Sequence, residues 1–169
     1  MKKILLPLIF VLFVLIGCSK VEQDSVRVRK EFDNLSEEWL VEDNWSLKLN
    51  EIYETEERAV FKNEDDEVID LGYDNVYILS YSYENLMSNE IDNTLKMEVK
   101  TIVSDKGEVA FNYPLINIKK PESIKSLQSC DEVEYGFSFK DKPEKIKIYF
   151  SRLDKEGVEN EVIYDLRLK

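Results

Sequence analysis

Asn75-Val76-Tyr77-Ile78-Leu79-Ser80-Tyr81-Ser82-Tyr83-Glu84-Asn85 is the stretch that decides the fold. Its period is two: Val76, Ile78, Ser80 and Ser82 fall on one face, and Tyr77, Leu79, Tyr81 and Tyr83 on the other. β-Branched and aromatic side chains fill it, and these suit a pleated, well-covered surface. The spacing therefore predicts a central strand.

The same period recurs on both sides. Upstream, Trp45, Leu47 and Leu49 alternate with polar residues until Ile52 breaks phase, as a bulge would. Between them and Asn75 lie a charged segment around Arg58-Ala59-Val60-Phe61 and an acidic loop, Asn63 to Glu67, hairpin-like or irregular. Downstream, Leu95, Met97, Val99, Thr101 and Val103 alternate, and Asp105-Lys106-Gly107 supplies a turn into Val109 and Phe111. Pro114 and Pro121 bracket a stretch unsuited to a central strand, hence an edge or a crossover between sheets. Val133, Tyr135, Phe137 and Phe139 form another run, and Ile146, Ile148 and Phe150 the next, joined through Asp141-Lys142-Pro143. A turn at Asp154 to Gly157 leads to Val162, Tyr164, Leu166 and Leu168. About seven short strands with frequent turn signals and no long helical pattern predict an all-β, immunoglobulin-like antiparallel sandwich.

The N-terminus reads differently. Lys2 and Lys3 precede an apolar run from Ile4 to Ile16, which ends in Leu15-Ile16-Gly17-Cys18. As a helix the run would reach roughly 20 Å, short of the ~30 Å hydrocarbon core, so a cleaved secretory signal is the better reading. The ending L-I-G-C resembles the bacterial lipobox, which implies cleavage after Gly17 and acylation of Cys18, with palmitate among the acyl chains. Each buried CH₂ contributes ~0.8 kcal/mol, so two or three acyl chains hold a protein to a membrane without a spanning segment. The expected organisation is a signal peptide over 1–17, a lipidated cysteine and polar tether over 18–43, and the sandwich over 44–169. Within the tether, a helical turn near Asn34 to Trp39 and a first strand through Val26 and Val28 are both compatible with the residues.

Composition narrows the functional classes. The net charge is −12, and removing the two leader lysines makes the remainder more acidic. Such a surface repels phosphate polymers and anionic headgroups, arguing against nucleic acid and against a second, electrostatic membrane contact. It leaves a basic partner, or plain solubility, as its purpose. If Cys18 is acylated, Cys130 has no intramolecular disulfide partner, and it reads as a small, partly buried residue. The absence of histidine removes the usual general base, the common zinc ligand and the Ser-His and Cys-His nucleophile pairs together. The five glycines stand singly, so there is no glycine-rich phosphate loop, and no catalytic residues are assigned.

The order of landmarks carries a resemblance. W-S-L-K-L-N-E-I-Y-E-T-E-E-R, V-Y-I-L-S-Y-S-Y-E-N, D-K-G-E-V, Y-P and C-D-E-V-E-Y-G-F-S-F ahead of I-K-I-Y-F resemble the immunoglobulin-like lipoproteins of Gram-positive bacteria. Their domain is similar to the secreted mycobacterial immunoprotective antigen fold. The resemblance covers about residues 44–151 and implies a small sandwich outside the membrane, on the extracytoplasmic face. It carries no agreed activity and no catalytic residues to transfer.

Two candidate sites remain. Tyr73, Tyr77, Tyr81 and Tyr83 would form an aromatic recognition surface if their row faced solvent, and would be core if it faced a second sheet. Asp65, Asp66 and Asp70, in the acidic stretch from Glu64, offer hard oxygens for Ca²⁺, but without the glycine-turned calcium loop, so a solvated loop is the plainer reading. The expected function is a membrane-anchored, non-catalytic binding module for a surface or secreted protein. An immunity- or inhibitor-type lipoprotein neutralising a basic toxin or enzyme and a Ca²⁺-stabilised structural domain are the alternatives.

Overall fold

The computed structural model describes residues 27–88 and 94–168. Its first strands are β1 (Arg27–Phe32), β2 (Glu38–Val41), β3 (Trp45–Glu54), β4 (Phe61–Lys62), β5 (Val68–Ile69) and β6 (Asn75–Asn85). Then follow β7 (Thr101–Ser104), β8 (Phe111–Asn112), β9 (Ser129–Phe139), β10 (Lys145–Leu153) and β11 (Glu159–Arg167). One sheet has the order β1-β11-β10-β7, the other β2-β3-β6-β9-β8, and β4 with β5 forms a separate hairpin. β1 runs parallel to β11; the other pairs are antiparallel. The all-β sandwich expected from the alternation is the fold, and Asn75–Asn85 is the middle strand of the larger sheet.

The two sheets meet through the side chains the period of two selects. Leu79, Tyr81, Val133 and Phe137 from one sheet pack against Ile146, Ile148, Phe150, Val162 and Tyr164 from the other, all essentially without exposure. Apolar burial on this scale, at about 25 cal/mol per Å², is the main stabilising term in a fold with no disulfide among the described residues. The opposite face of β6 is covered too. Val76 and Ile78 pack with Tyr113 and Leu115 in a satellite cluster, roofed by Phe61 of the β4–β5 hairpin and by Tyr73 and Phe111. That roof ends before Ser80.

Four expectations are corrected. Residues 27–41 are not tether: β1 adds to β11 and β2 to β3, because Trp39 is fully buried with its ring edge-on to Trp45 at 5.6 Å. The first-strand alternative through Val28 is the one found. Between β1 and β2 there is no helical turn; Asn34 Oδ1 instead accepts the Ser36 backbone N–H at 2.9 Å, an Asx-type turn. In the run from Leu95 to Val103 the inward set changes phase: Leu95 and Met97 are buried, but Ile102, not Thr101 or Val103, is the next core residue. Among the described residues the strand count rises from about seven to eleven because of β1, β2 and the two short strands β4 and β5. The leader 1–17 with its cleavage at Gly17, and Cys18, lie outside the described residues.

The β10–β11 hairpin shows how a turn is specified locally. Gly157 has φ of 79°, a conformation costly for residues with a Cβ. Partial burial pushes the Asp154 carboxylate up, but hydrogen bonds from Val158 N–H, Asn160 Nδ2 and Glu156 N–H outweigh it and hold the group below its ordinary range. Asp154→Ala is expected to cost about 1–2 kcal/mol in chemical denaturation, with the loss disappearing in acid as the wild-type carboxylate is protonated.

Candidate functional site

Two irregularities in the five-stranded sheet lie on either side of β6. In β3 the register shifts between Leu49 and Glu51, leaving Asn50 as a bulge. In β9 it shifts where Tyr81 and Tyr83 face Val133 and Cys130, so Asp131 and Glu132 together stand opposite the single residue Ser82, one residue more than regular pairing allows. Bulges bend a strand and re-aim its side chains. Because both flank Ser80 and Ser82, just where the satellite roof stops, the outer face becomes a trough of about 620 Å³.

Its floor and walls are polar throughout. Asn50 Nδ2 donates to Ser80 Oγ at 3.3 Å and Ser82 Oγ at 3.0 Å, and Glu132 N–H donates to Ser82 Oγ at 3.1 Å. Four carboxylates, Glu51, Asp131, Glu132 and Glu134, line it with one ammonium, Lys119, whose Nζ is tied to the Asp131 carbonyl at 2.5 Å. Tyr53, 39 % exposed, follows Glu51 on the same face and donates its hydroxyl to Glu134 Oε1 at 3.4 Å. Desolvation, then the Glu134 charge, raise the Tyr53 pKa. Glu132 and Asn117 hold left-handed backbone at φ of 53° and 64°. Asparagine tolerates this; for Glu132 it costs about 1–2 kcal/mol, which the surrounding hydrogen bonds sustain.

This arrangement suits a cation carried on a long side chain. Carboxylates accept a guanidinium or ammonium, and an exposed tyrosine ring offers a face for stacking. It has no histidine or free thiol for nucleophilic or acid–base chemistry: Cys130 is buried on the other side of β9, among the core residues.

The tyrosine row is placed elsewhere. Tyr77, Tyr81 and Tyr83 are core, so they form no recognition surface. Tyr77 stacks on Phe137 at 5.5 Å, Tyr81 meets the Phe150 ring edge-on at 5.4 Å, and their neighbour Tyr83 donates its hydroxyl to the Glu122 carbonyl. Burial drives the hydroxyl pKa values of all three upward. Tyr73 is half-buried, stacked on Phe111 at 4.8 Å with Lys140 Nζ 5.2 Å above its ring, which makes it part of the roof. Asp65, Asp66 and Asp70 are exposed and do not converge. Asp66 pairs with Lys62 at 3.1 Å and Asp70 caps the Gly72 N–H, and among the described residues no three metal-ligating side chains come together.

Sequence reasoning missed the trough, although its signals were present. The phase break at Ile52 marks one bulge. The other is written in the spacing of three between Cys130 and Val133, both inward, with two acids between them. Comparison of the chain with protein-family models, curated proteins and solved structures yields no match.

Proposed function

We propose that this protein is a lipid-anchored lipoprotein on the extracytoplasmic face of the cell membrane, acylated at Cys18, whose sandwich is a non-catalytic binding module for a surface or secreted protein. The observation that carries the binding role is the acidic trough at Ser80 and Ser82. It has room for one or two long cationic side chains, with Glu51 and Glu134 as counter-charges and Tyr53 as a stacking face. Lipid anchoring rests on the L-I-G-C ending after a short apolar run. The excess of acid over base also favours a second reading, an immunity- or inhibitor-type lipoprotein that neutralises a basic toxin or enzyme through the same trough.

Affinity capture from a cell-surface extract and culture fluid, with wild type and a Glu51→Lys/Glu134→Lys variant side by side, tests this. A basic protein retained by wild type, released by salt and held at least about tenfold less by the variant is the expected result. Equal retention by both proteins overturns the assignment of the trough. Anchoring is checked separately by partition into detergent phase, expected for wild type and lost in Cys18→Ala.

A further inference from the structure

β2 pairs with only the first part of β3: its register runs from Glu38 opposite Lys48 to Val41 opposite Trp45. Before Glu38 the chain comes from β1, in the other sheet, so residues 33–37 cross between layers instead of continuing along β3. The half of β3 from Asn50 to Glu54 therefore pairs with β6 on one side and, among the described residues, with no strand on the other. Beside this open edge lies a cavity of about 990 Å³. Its apolar lining is Phe32, Leu35, Ile52, Leu166 and Leu168, each only partly buried except Leu166.

We infer that this edge takes an extended segment of a protein partner, one that alternates apolar with basic side chains, as an added strand along Asn50–Glu54. The inference rests on the proposed reading of the partner as a protein. Main-chain hydrogen bonds to the open edge supply affinity, and alternate side chains, which point to opposite faces, supply specificity. On one face the apolar side chains of the segment enter the Phe32–Ile52–Leu166 cavity. On the other its cations meet Glu51, which lines both this cavity and the trough and so joins the two into one surface.

Charge selects the occupant. The cavity rim carries Glu31, Asp33, Glu37 and Glu51, none of them in an ion pair among the described residues, and Asp165, which is paired with Lys147 at 3.4 Å. Lys145 and Arg167 are the opposing charges on that rim. A second copy of this chain adding the same strand would bring its own Glu51 into the like-charged zone, while Glu54 is already paired with Lys142 at 2.6 Å. The acids and the Asn50 bulge thus guard the edge against self-pairing while admitting a basic strand.

The test uses the full chain in detergent micelles with a synthetic peptide of about ten residues that alternates Val or Leu with Lys or Arg. Two further peptides of the same sequence carry N-methyl groups on alternate backbone nitrogens, one in each register. Binding of the first peptide is expected to slow amide exchange across Asn50–Glu54. N-methylation in the register that faces the edge is expected to weaken binding at least about tenfold while methylation in the other register leaves it intact. Equal affinity for all three peptides overturns the inference. Protection confined to Ser80–Ser82 and Asp131–Glu134 also overturns it, while leaving the trough as the site for a basic side chain. No binding at either place removes the edge and the basic-partner reading together.

Discussion

Replacing both Arg27 and Arg29 with alanine is expected to destabilise the protein by about 2–3 kcal/mol at neutral pH and to invert its response to mild acid. Both arginines sit on β1 and reach Glu161 of β11, a carboxylate with 2 % exposure in the outer face of the smaller sheet. Arg29 meets Glu161 Oε2 at 2.7 Å, Arg27 contacts Oε1, and Lys100 lies 3.5 Å from the same oxygen, with Glu159 bridging Arg27 and Lys100 alongside. Burial alone would push the Glu161 carboxyl up, but the Arg29 hydrogen bond and the charges of Arg27, Arg29 and Lys100 win and hold it below the ordinary glutamate range. A carboxylate depressed in the folded state contributes stability above its unfolded pKa of about 4.3, and that contribution is lost as pH falls through the folded value. Without the arginines only Lys100 opposes desolvation, and the folded pKa rises above the unfolded one. Stability then falls as pH rises through that range. The loss is bounded because β1 is exposed along nearly its whole length: once detaching it costs less than holding a bare carboxylate, the strand peels and Glu161 is hydrated. Urea denaturation of wild type and double variant from about pH 3.5 to 7 reads both the magnitude and the sign. A double variant that tracks wild type at every pH would show that β1 is held by its backbone ladder alone.

Gly136→Val is expected to cost about 3 kcal/mol, lowering the melting temperature by roughly 10 °C. A Cβ at this position would lie 2.5 Å from the Tyr113 carbonyl oxygen and 2.9 Å from Leu115 Cδ1. The nearer obstacle is backbone, so no rotamer change relieves it. Segment 113–119 would have to lift from β9, breaking the Tyr113 N–H bond to the Gly136 carbonyl at 3.0 Å and loosening the Tyr113 hydroxyl, which accepts the Ala59 N–H at 2.9 Å. The satellite core under the β4–β5 hairpin opens with it. Lys119 and Asn117 are carried on the same segment, so the wall of the trough moves as well, and affinity for a basic partner should change along with stability. A variant as stable as wild type would mean that the segment has room to shift.

Legibility followed range in the chain. Alternation of side chains is a property of neighbouring residues, and it was enough to identify the strands at Trp45, Asn75, Val133, Ile146 and Val162, and the hairpin at Asp154 to Gly157. The same alternation was ambiguous about its two faces. Tyr77, Tyr81 and Tyr83 were open to both a core and a binding-surface reading, with core the plainer one, because a period of two says that the faces differ and not which one a second sheet covers. β1 stayed only an alternative to tether for a related reason: Arg-Val-Arg-Lys-Glu-Phe has no apolar stripe to bury, and it is a strand because β11 offers a ladder and Glu161 offers a charge.

The candidate site shows the division most clearly. The sequence by itself determined an all-β chain with an acidic exterior, a phase break at Ile52, two acids inserted between Cys130 and Val133, and a lipobox-like ending at Cys18. Only the tertiary structure decided that the two breaks flank Ser80 and Ser82, that Glu51 and Glu134 face one cavity, and that half of β3 has, among the described residues, no strand on its outer edge. The physical reason is that strand register and sheet order are settled by packing between residues far apart in the chain. A bulge is visible locally as a lost beat in the alternation, but what it aims a side chain at depends on the strand that pairs beside it.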